Sequence, residues 1–310
     1  MSEASPGWSI RTARPEQWAE ASRLLLGPDL TAPQMHAGVA AVQRHLQLGT
    51  LDPAAFFLAL EGSRIVGAIL GQCLPGAQAL LFDVPQALPG HPAVSRIEDQ
   101  LLTTLLAWLQ RRGVKLVQCL LPRAETSRAT SLLRGNFRFV TELRYLLHFL
   151  DTLPSCKETG LEFVRYAPAL RDRLAAAITA TYLETMDCPE LNDLLSITEV
   201  IEGYERKAVE TAPAWWLLRR ESRDIGVLLL QLSGSEATGE VAYMGLIPTA
   251  RFQGFGRMVM RFAMLQAKEA GLRTLQLSVD VRNAPALRLY DRLGFIPWEE
   301  KVLFMATLAE

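Results

Sequence analysis

The second half of the chain alternates between short apolar runs and longer stretches in which apolar residues recur with helical spacing. The apolar runs predict strands at Trp215–Arg220, Ile225–Ser233, Glu240–Ile247, Leu275–Val279 and Val302–Ala306. The amphipathic stretches predict helices at Ala169–Leu183, Ile197–Val209, Met258–Ala270 and Ala284–Leu293. Hairpin-connected antiparallel strands followed by a strand–helix–strand crossover predict a mixed α/β sheet flanked by helices.

The same pattern occurs twice along the chain. Matching residues are Phe57 and Trp216, Gly67 and Gly226, Gly113 and Gly271, and Phe137 and Phe295. The first two pairs are separated by 159 residues and the last two by 158, so order and spacing are kept across each half. We therefore expect two copies of one fold, over residues 1–152 and 160–310. Pro154 and Gly160 interrupt the strand pattern between them.

A glycine-containing loop lies between the predicted strand Glu240–Ile247 and the helix that follows it. It reads Arg251-Phe252-Gln253-Gly254-Phe255-Gly256-Arg257. The first N–H groups of a helix have no intrahelical partner, and the helix dipole adds partial positive charge there. Glycines let an anion approach the backbone, so we expect a diphosphate site. The alternatives are an ordinary strand-to-helix turn and a dinucleotide-binding loop. The latter is disfavoured because the glycines do not follow G-x-G-x-x-G.

A second motif follows the strand Leu275–Val279. It begins at Asn283 and continues through Tyr290 to Gly294-Phe295. Together with the R-x-x-G-x-G string, it resembles the signatures of the GNAT superfamily of N-acetyltransferases. The whole chain resembles the mycothiol synthase type of tandem architecture. The resemblance implies two tandem GNAT folds, each a mixed, mostly antiparallel sheet with a splayed central strand pair.

The resemblance also implies that acetyl-CoA is the cosubstrate and that its acetyl group passes to a primary amine. A bulge in the strand Glu240–Ile247 would open a gap for the pantetheine arm. The implied cofactor-binding residues are Met244, Gly245, Leu246, Arg251, Phe252, Gln253, Gly254, Phe255, Gly256, Arg257 and Asn283. Asn283 has the alternative role of capping the last helix.

Four further residues are candidates for the chemistry. Tyr290 is the candidate general acid, because a phenol with a pKa near 10 can return a proton to a departing thiolate. Glu240, where the resemblance places a carboxylate, is the candidate general base, acting through water. Glu184 and Asp187 belong to an acidic cluster with Glu190 and Asp193, where the resemblance places the amine pocket, and are candidates for that pocket. The alternatives are a core tyrosine at 290 and solvated acids at 184, 187 and 240. Arg219, Arg220 and Arg223 are expected to be surface charges.

The first copy keeps the scaffold pattern without the chemical residues. Its loop at 86–94 lacks R-x-x-G-x-G and contains two prolines, which have no N–H to offer a phosphate. Leu132 stands at the position of Tyr290, and Glu125 stands at the position of Asn283. We expect the first copy to be structural and His91 to be a loop residue.

Composition narrows the function classes. The net charge of −1 gives no support for a nucleic-acid or membrane-surface protein. The four cysteines form no CxxC pair, so we expect reduced thiols, no metal site and a cytoplasmic protein. The N-terminal residues do not resemble a signal peptide. We expect a monomer or homodimer. A non-catalytic acyl-CoA sensor and a purely structural tandem scaffold are the alternatives to an enzyme.

Overall fold

The computed structural model describes residues 7–27, 29–153, 160–207, 214–232 and 237–308. These residues form 13 strands and eight α-helices. The chain divides into two compact units, Met1–Val140 with Val302–Glu310 and Thr141–Lys301. Within the described residues, no helix is long and apolar enough to cross a bilayer. The predicted break at Pro154 lies outside them.

The first unit is a mixed sheet with helices. Its elements are β1 (Ser9–Thr12), α1 (Trp18–Leu26), α2 (Ala32–Gln47), β2 (Phe56–Glu61), β3 (Arg64–Leu74), β4 (Gln78–Leu81), β5 (Gln86–Ala87), α3 (Val94–Gln110), β6 (Leu116–Pro122) and α4 (Thr130–Arg134). The strand order is β1-β2-β3-β4-β6, with β5 paired to β3. All of these pairs are antiparallel except β4–β6, which is parallel.

The second unit repeats this arrangement. Its elements are β7 (Arg138–Phe149), β8 (Glu162–Arg165), α5 (Arg171–Tyr182), α6 (Ile197–Lys207), β9 (Ala214–Arg220), β10 (Arg223–Gln231), β11 (Thr238–Leu246), α7 (Phe255–Glu269), β12 (Thr274–Asp280), α8 (Ala284–Arg292) and β13 (Ile296–Thr307). The strand order is β7-β12-β11-β10-β9-β8, and only β11–β12 is parallel. The edge strand β8 was not predicted, and β13 begins six residues before the predicted Val302.

The compact units differ from the contiguous ranges 1–152 and 160–310 expected from the sequence. The last strand of the first half, β7, pairs with β12 and lies mainly in the second unit. The last residues of β13 lie in the first unit, where Val302, Phe304 and Ala306 join the core. Hydrophobic pattern identifies a strand but not its partner, so the sequence did not reveal this exchange.

The sheet of the second unit buries apolar side chains on both faces because successive residues of a strand point to opposite sides. Trp216 and Leu228 belong to the core beneath α7 and α8. Trp215 and Leu229 belong to the core beneath α5 and α6. Burial on both faces explains why β9 and β10 read as nearly continuous apolar runs.

The central strands β11 and β12 separate partway along their length. Leu229 of β10 is opposite Tyr243, whereas Leu230 is opposite Val241, so Ala242 is an extra residue that forms a β-bulge in β11. Parallel pairing of β11 with β12 covers only residues 238–240 and 274–276, although β11 continues to Leu246. The splayed strand pair expected from the resemblance is therefore present.

Candidate active site

The loop between β11 and α7 presents a row of unbonded backbone donors. Phe252 and Gly254 adopt left-handed conformations, with φ of +60° and +85°. Among the described residues, no acceptor bonds the N–H groups of residues 252–256, whereas those of Arg251 and Arg257 donate to backbone carbonyls. A Cβ added at Gly254 would meet no atom within 4 Å, whereas one at Gly256 would lie 3.0 Å from Leu289. The loop is thus a concave set of donors at a helix N-terminus, which suits a diphosphate.

The side chain of Arg251 is used inside the protein rather than offered to an anion. Its Nε donates to the carbonyl of Leu246 at 3.0 Å, and its Nη1 donates to that of Glu184 at 2.9 Å. Its Nη2 donates to the carbonyls of Thr181 and Leu183 at 3.0 and 2.7 Å. Four of the five guanidinium donors are therefore committed to backbone carbonyls. Arg251 fastens the loop to the C-terminal end of α5.

Arg220 supplies the positive charge beside the loop, although it was expected to be only a surface charge. Its Nη1 donates to Oε1 of Gln253 at 3.3 Å. Its guanidinium also lies over the Phe255 ring, 5.2 Å from the centroid. Phe255 is buried, whereas Phe252 is 87% exposed. Sequence spacing could not reveal Arg220, because the hairpin of β9 and β10 brings it to the loop.

The edge of β11 that faces the splay carries further unpaired groups. The N–H of Ile247 donates to the carbonyl of Ile225 on β10 at 3.0 Å. Because bonded and non-bonded pairs alternate in antiparallel sheets, Met244 and Leu246 direct their N–H and C=O groups away from β10. The Leu246 carbonyl accepts from Arg251 in agreement with this alternation. The remaining groups form an open edge on which an extended amide-containing chain can bond.

Tyr290 lies on α8 within the core beneath α7 and α8. It is 7% exposed, and its ring centroid is 5.7 Å from that of Phe295. Among the described residues, no hydrogen bond reaches its hydroxyl. Burial raises the pKa of Tyr290, and the negative charge of Asp187 raises it further. Like any tyrosine, the phenol is protonated at neutral pH, and its raised pKa makes it a weaker acid than an exposed tyrosine.

Glu240 lies on the sheet face that packs against α5 and α6. It is half-buried, paired in register with Gln231 on β10 and Gln276 on β12. Burial, then the charges of Glu299 and Glu240, raise the pKa of Tyr145 to about 12. Glu240 is thus placed where β11 and β12 part, close to tyrosine hydroxyls rather than free in solvent.

Three tyrosines on the same face were not predicted as site residues. Tyr182 and Tyr204 pack against Tyr243, with ring centroids 6.1 and 6.4 Å apart. The Tyr243 hydroxyl is 2.7 Å from Oγ1 of Thr181. A Cβ at Gly245 would lie 2.7 Å from Thr181, so the glycine permits this close approach of α5. The spacing of these tyrosines in the sequence predicts only core positions, because it does not show that the Tyr243 hydroxyl lies beside Thr181.

The loop at residues 183–190 brings acidic groups to the splay. The Asp187 carboxylate accepts a hydrogen bond from the N–H of Asp280 at 2.8 Å. Asp187 is an exposed residue, but partial desolvation of its carboxylate raises its pKa. The N–H of Asp280 and the charge of Arg282 lower that pKa, whereas the charge of Asp280 raises it. Glu184 contributes its backbone carbonyl to Arg251, and its exposed side chain forms no ion pair among the described residues. Asp187 rather than Glu184 therefore belongs to the site geometry.

Asn283 caps the last helix. Its Oδ1 accepts from the N–H of Ala286 at 3.2 Å, at the N-terminus of α8. The capping alternative is thus observed. The side-chain NH₂ group is not used by this bond.

In the corresponding loop of the first unit, backbone N–H groups are already hydrogen-bonded. The N–H of Ala93 donates to Nδ1 of His91 at 3.1 Å, and that of His91 donates to the carbonyl of Leu88 at 3.1 Å. The other ring nitrogen of His91 is 2.9 Å from Glu61. Leu132, at the position of Tyr290, is fully buried in the core. This loop lacks the open donor set found at residues 252–256.

The bulged strand, the splayed parallel pair and the unbonded donors at the N-terminus of α7 define the fold of the second unit as that of the GNAT class. Residues 179–295 match the model of the Acetyltransferase (GNAT) family, so this segment is a GNAT domain. The resemblance inferred from the two motifs is confirmed.

Curated relatives extend the match beyond that segment. The mycothiol acetyltransferase of Streptomyces coelicolor is 29% identical over 168 residues, which are 54% of this chain and 53% of the relative. That of Actinosynnema mirum is 38% identical over 69 residues, which are 22% and 23% of the two chains. The chain thus spans about half the length, or less, of these curated relatives.

Solved structures match the chain over nearly its full length. A GCN5-related N-acetyltransferase from Sphaerobacter thermophilus aligns with a TM-score of 0.63 and 18% identity, covering 97% of this chain and 96% of that one. These identities show the fold alone. A tandem GNAT protein of the clavulanic acid biosynthesis pathway aligns with a TM-score of 0.53 and 15% identity, covering 98% and 99%. The predicted tandem GNAT fold is confirmed.

Proposed function

We propose that this protein is an acetyl-CoA-dependent N-acetyltransferase whose second unit catalyses acetyl transfer to a primary amine. The observation that carries the proposal is the row of unbonded N–H groups at residues 252–256, at the N-terminus of α7. The row follows a strand whose far edge is open at the splay. The N–H donors suit the diphosphate of coenzyme A, and the open strand edge that precedes them suits its amide-containing pantetheine arm.

The cofactor fits the residues present. The backbone of residues 252–256 holds the diphosphate, with Arg220 adding charge beside it. The backbone of Met244, Gly245 and Leu246 borders the gap for the pantetheine arm. Asn283 caps α8 through its oxygen and keeps its NH₂ group for the arm. Arg251 acts by holding the loop in place rather than through direct charge contact.

The two proposed catalytic residues, Glu240 and Tyr290, lie on opposite faces of the sheet. Glu240, on the α5 and α6 face, accepts the amine proton through water, so that neutral nitrogen forms the new C–N bond. Tyr290, on the α7 and α8 face, delivers its proton to the sulfur as the C–S bond breaks. Asp187 joins the two sides, because its charge acts on both Tyr290 and Tyr204.

The first unit has a structural role in this proposal. The N–H groups of Leu88, His91 and Ala93 in its loop are already bonded, and Leu132 has no proton to give. Its core is completed by the C-terminal residues of β13, so the catalytic chain cannot be shortened there without exposing that core.

The acceptor is proposed to be a cationic primary amine. Asp187 and Glu240 provide negative charge, and the tyrosines at 182, 204 and 243 provide aromatic and hydroxyl surface. Because the relatives are named mycothiol acetyltransferases, the amine that such an enzyme acetylates is the first acceptor to test.

The test is release of coenzyme A thiol from acetyl-CoA across amines grouped by charge and size. We expect turnover with at least one cationic primary amine and little with carboxylate-rich amines. Binding of acetyl-CoA without turnover on any amine would favour the acyl-CoA sensor. Absence of binding would reject the proposal altogether.

A further inference from the structure

The 183–190 loop is fastened by two arginines that follow the two strands of the splay. Arg251 follows β11 and bonds the carbonyls of Thr181, Leu183 and Glu184. Arg282 follows β12 and bonds the loop at its other end, through Glu190. The position of the loop is therefore set by the same two strands that form the gap.

Arg282 makes a two-pronged ion pair with Glu190. Its Nη1 and Nη2 donate to the two carboxylate oxygens of Glu190 at 2.5 and 2.8 Å. Its Nη2 also donates to Oδ2 of Asp280 at 2.6 Å, and its Nε donates to Oδ1 at 3.0 Å. A planar guanidinium with several fixed donors holds carboxylates in defined geometry, which a lysine does not.

Asp280 connects the ion pair of Arg282 and Glu190 to Asp187 through hydrogen bonds. Its side chain is completely buried, and it accepts further hydrogen bonds from Oγ1 of Thr141 at 2.8 Å and from the N–H of Cys188 at 3.1 Å. The N–H of Asp280 itself donates to Oδ1 of Asp187 at 2.8 Å. Asp187 is thus held on two sides, through its own carboxylate and through the backbone of the next residue.

We infer that Arg282, together with Asp280 and Glu190, positions the Asp187 carboxylate to receive the ammonium group of the acceptor, an inference that rests on the proposed function. Arg282 touches neither the phosphate loop nor the β11 edge, so its effect falls on the acceptor and not on acetyl-CoA. Because the Asp280 carboxylate is completely buried, removal of its partner Arg282 would be strongly destabilising.

The charge around Asp187 gives this inference a pH signature. The charged and titratable groups that interact with it are Asp280 and Arg282 from the end of β12, Cys188 from its own loop, Tyr290 from α8, Tyr204 from α6 and Tyr243 from β11. Glu190 is connected to it through Arg282. Arg282 lowers the pKa of Asp187, so its loss raises that pKa. Because only ionised Asp187 attracts an ammonium, the acid limb of kcat/KM for the amine then moves to higher pH.

The test compares Arg282→Gln, Arg282→Lys and Glu190→Gln with matched controls at another two-pronged pair of similar exposure. That pair joins Arg173 to Asp224 at 2.8 and 3.0 Å, and its side chains lie outside the 183–190 loop. We expect the amine KM to rise about tenfold in Glu190→Gln and more in Arg282→Gln, with Arg282→Lys between them. Affinity for acetyl-CoA, measured by calorimetry, and the controls Arg173→Gln and Asp224→Asn remain as in the wild type.

The outcomes distinguish a failure to fold, the absence of a positioning role and a failure of the proposed function. Glu190→Gln decides the matter if Arg282→Gln does not fold, because Glu190 is at the protein surface and its loss leaves Asp280 paired. An unchanged amine KM in folded Glu190→Gln, or an equal rise in the Arg173 and Asp224 controls, would overturn the positioning role. Failure of the wild type to acetylate any amine would instead reject the proposed function.

Discussion

Replacing Tyr290 by phenylalanine is expected to lower kcat for acetyl transfer about 100- to 1000-fold. The variant keeps the buried ring and its packing against Phe295 while removing the hydroxyl. The phenol carries the proton that would pass to the departing thiolate, although burial and the Asp187 charge raise its pKa and make it a weaker acid than an exposed tyrosine. The fall should appear in kcat and in kcat/KM alike, because the lost interaction exists only in the transition state.

The control for this experiment is Tyr166→Phe. The Tyr166 hydroxyl donates to Glu205 at 3.1 Å, outside the splay, so its loss should leave kcat close to that of the wild type. Affinity of Tyr290→Phe for acetyl-CoA should also be unchanged. A kcat of Tyr290→Phe within threefold of the wild type would assign Tyr290 to the core alone.

Replacing Glu240 by glutamine is expected to lower kcat/KM for the amine about 100-fold near neutral pH. The glutamine keeps the size of the side chain and its place on β11 opposite Gln231 and Gln276. It cannot accept the proton that an ammonium must lose before attack. The deficit should narrow as the pH rises above the pKa of the amine, because the nitrogen is then already neutral.

The measurement is the ratio of wild-type to variant kcat/KM across pH. Glu162→Gln, on the exposed edge strand β8, serves as the control and should give a ratio near one throughout. A ratio for Glu240→Gln that stays constant across pH would remove Glu240 from the role of base. The carboxylate would then act only through its charge.

Much of the fold was predictable because apolar runs and helix-ending glycines are local features of the sequence. The apolar runs of β9 to β12 and the glycines that end α7 and α8 lie close to their predicted positions. The loop at 251–257 was predictable because helix N-termini and glycines have direct consequences for anion binding. The bulge at Ala242 followed from the resemblance and not from the residues themselves.

The remaining features depend on contacts between residues far apart in sequence. Arg282 and Glu190 are 92 positions apart, and the acidic cluster that contains Glu190 gave no sign of its pairing with Arg282. Arg251 matches an anion-binding motif, yet its donors go to carbonyls at the end of α5. Two charged residues, Asp280 at the end of an apolar strand and Arg282 just after it, were a usable signal, because binding groups concentrate where strands of an α/β sheet end.

The exchange of terminal strands illustrates the same limit. The sequences of β7 and β13 are apolar enough for strands, but they do not show which strand each one pairs with. Only the folded chain shows β7 beside β12 and the end of β13 in the first core. A consequence is that residues 160–310 alone would lack β7, and residues 1–152 alone would lack Val302–Thr307.

The central claim is that the backbone of residues 252–256 holds the diphosphate of coenzyme A. A crystal structure of the full chain with bound coenzyme A tests it most directly. The account predicts one cofactor per chain, with diphosphate oxygens within hydrogen-bond distance of these N–H groups and the arm along Met244–Leu246. A diphosphate bound elsewhere on the second unit, or at the 86–94 loop of the first, would contradict it.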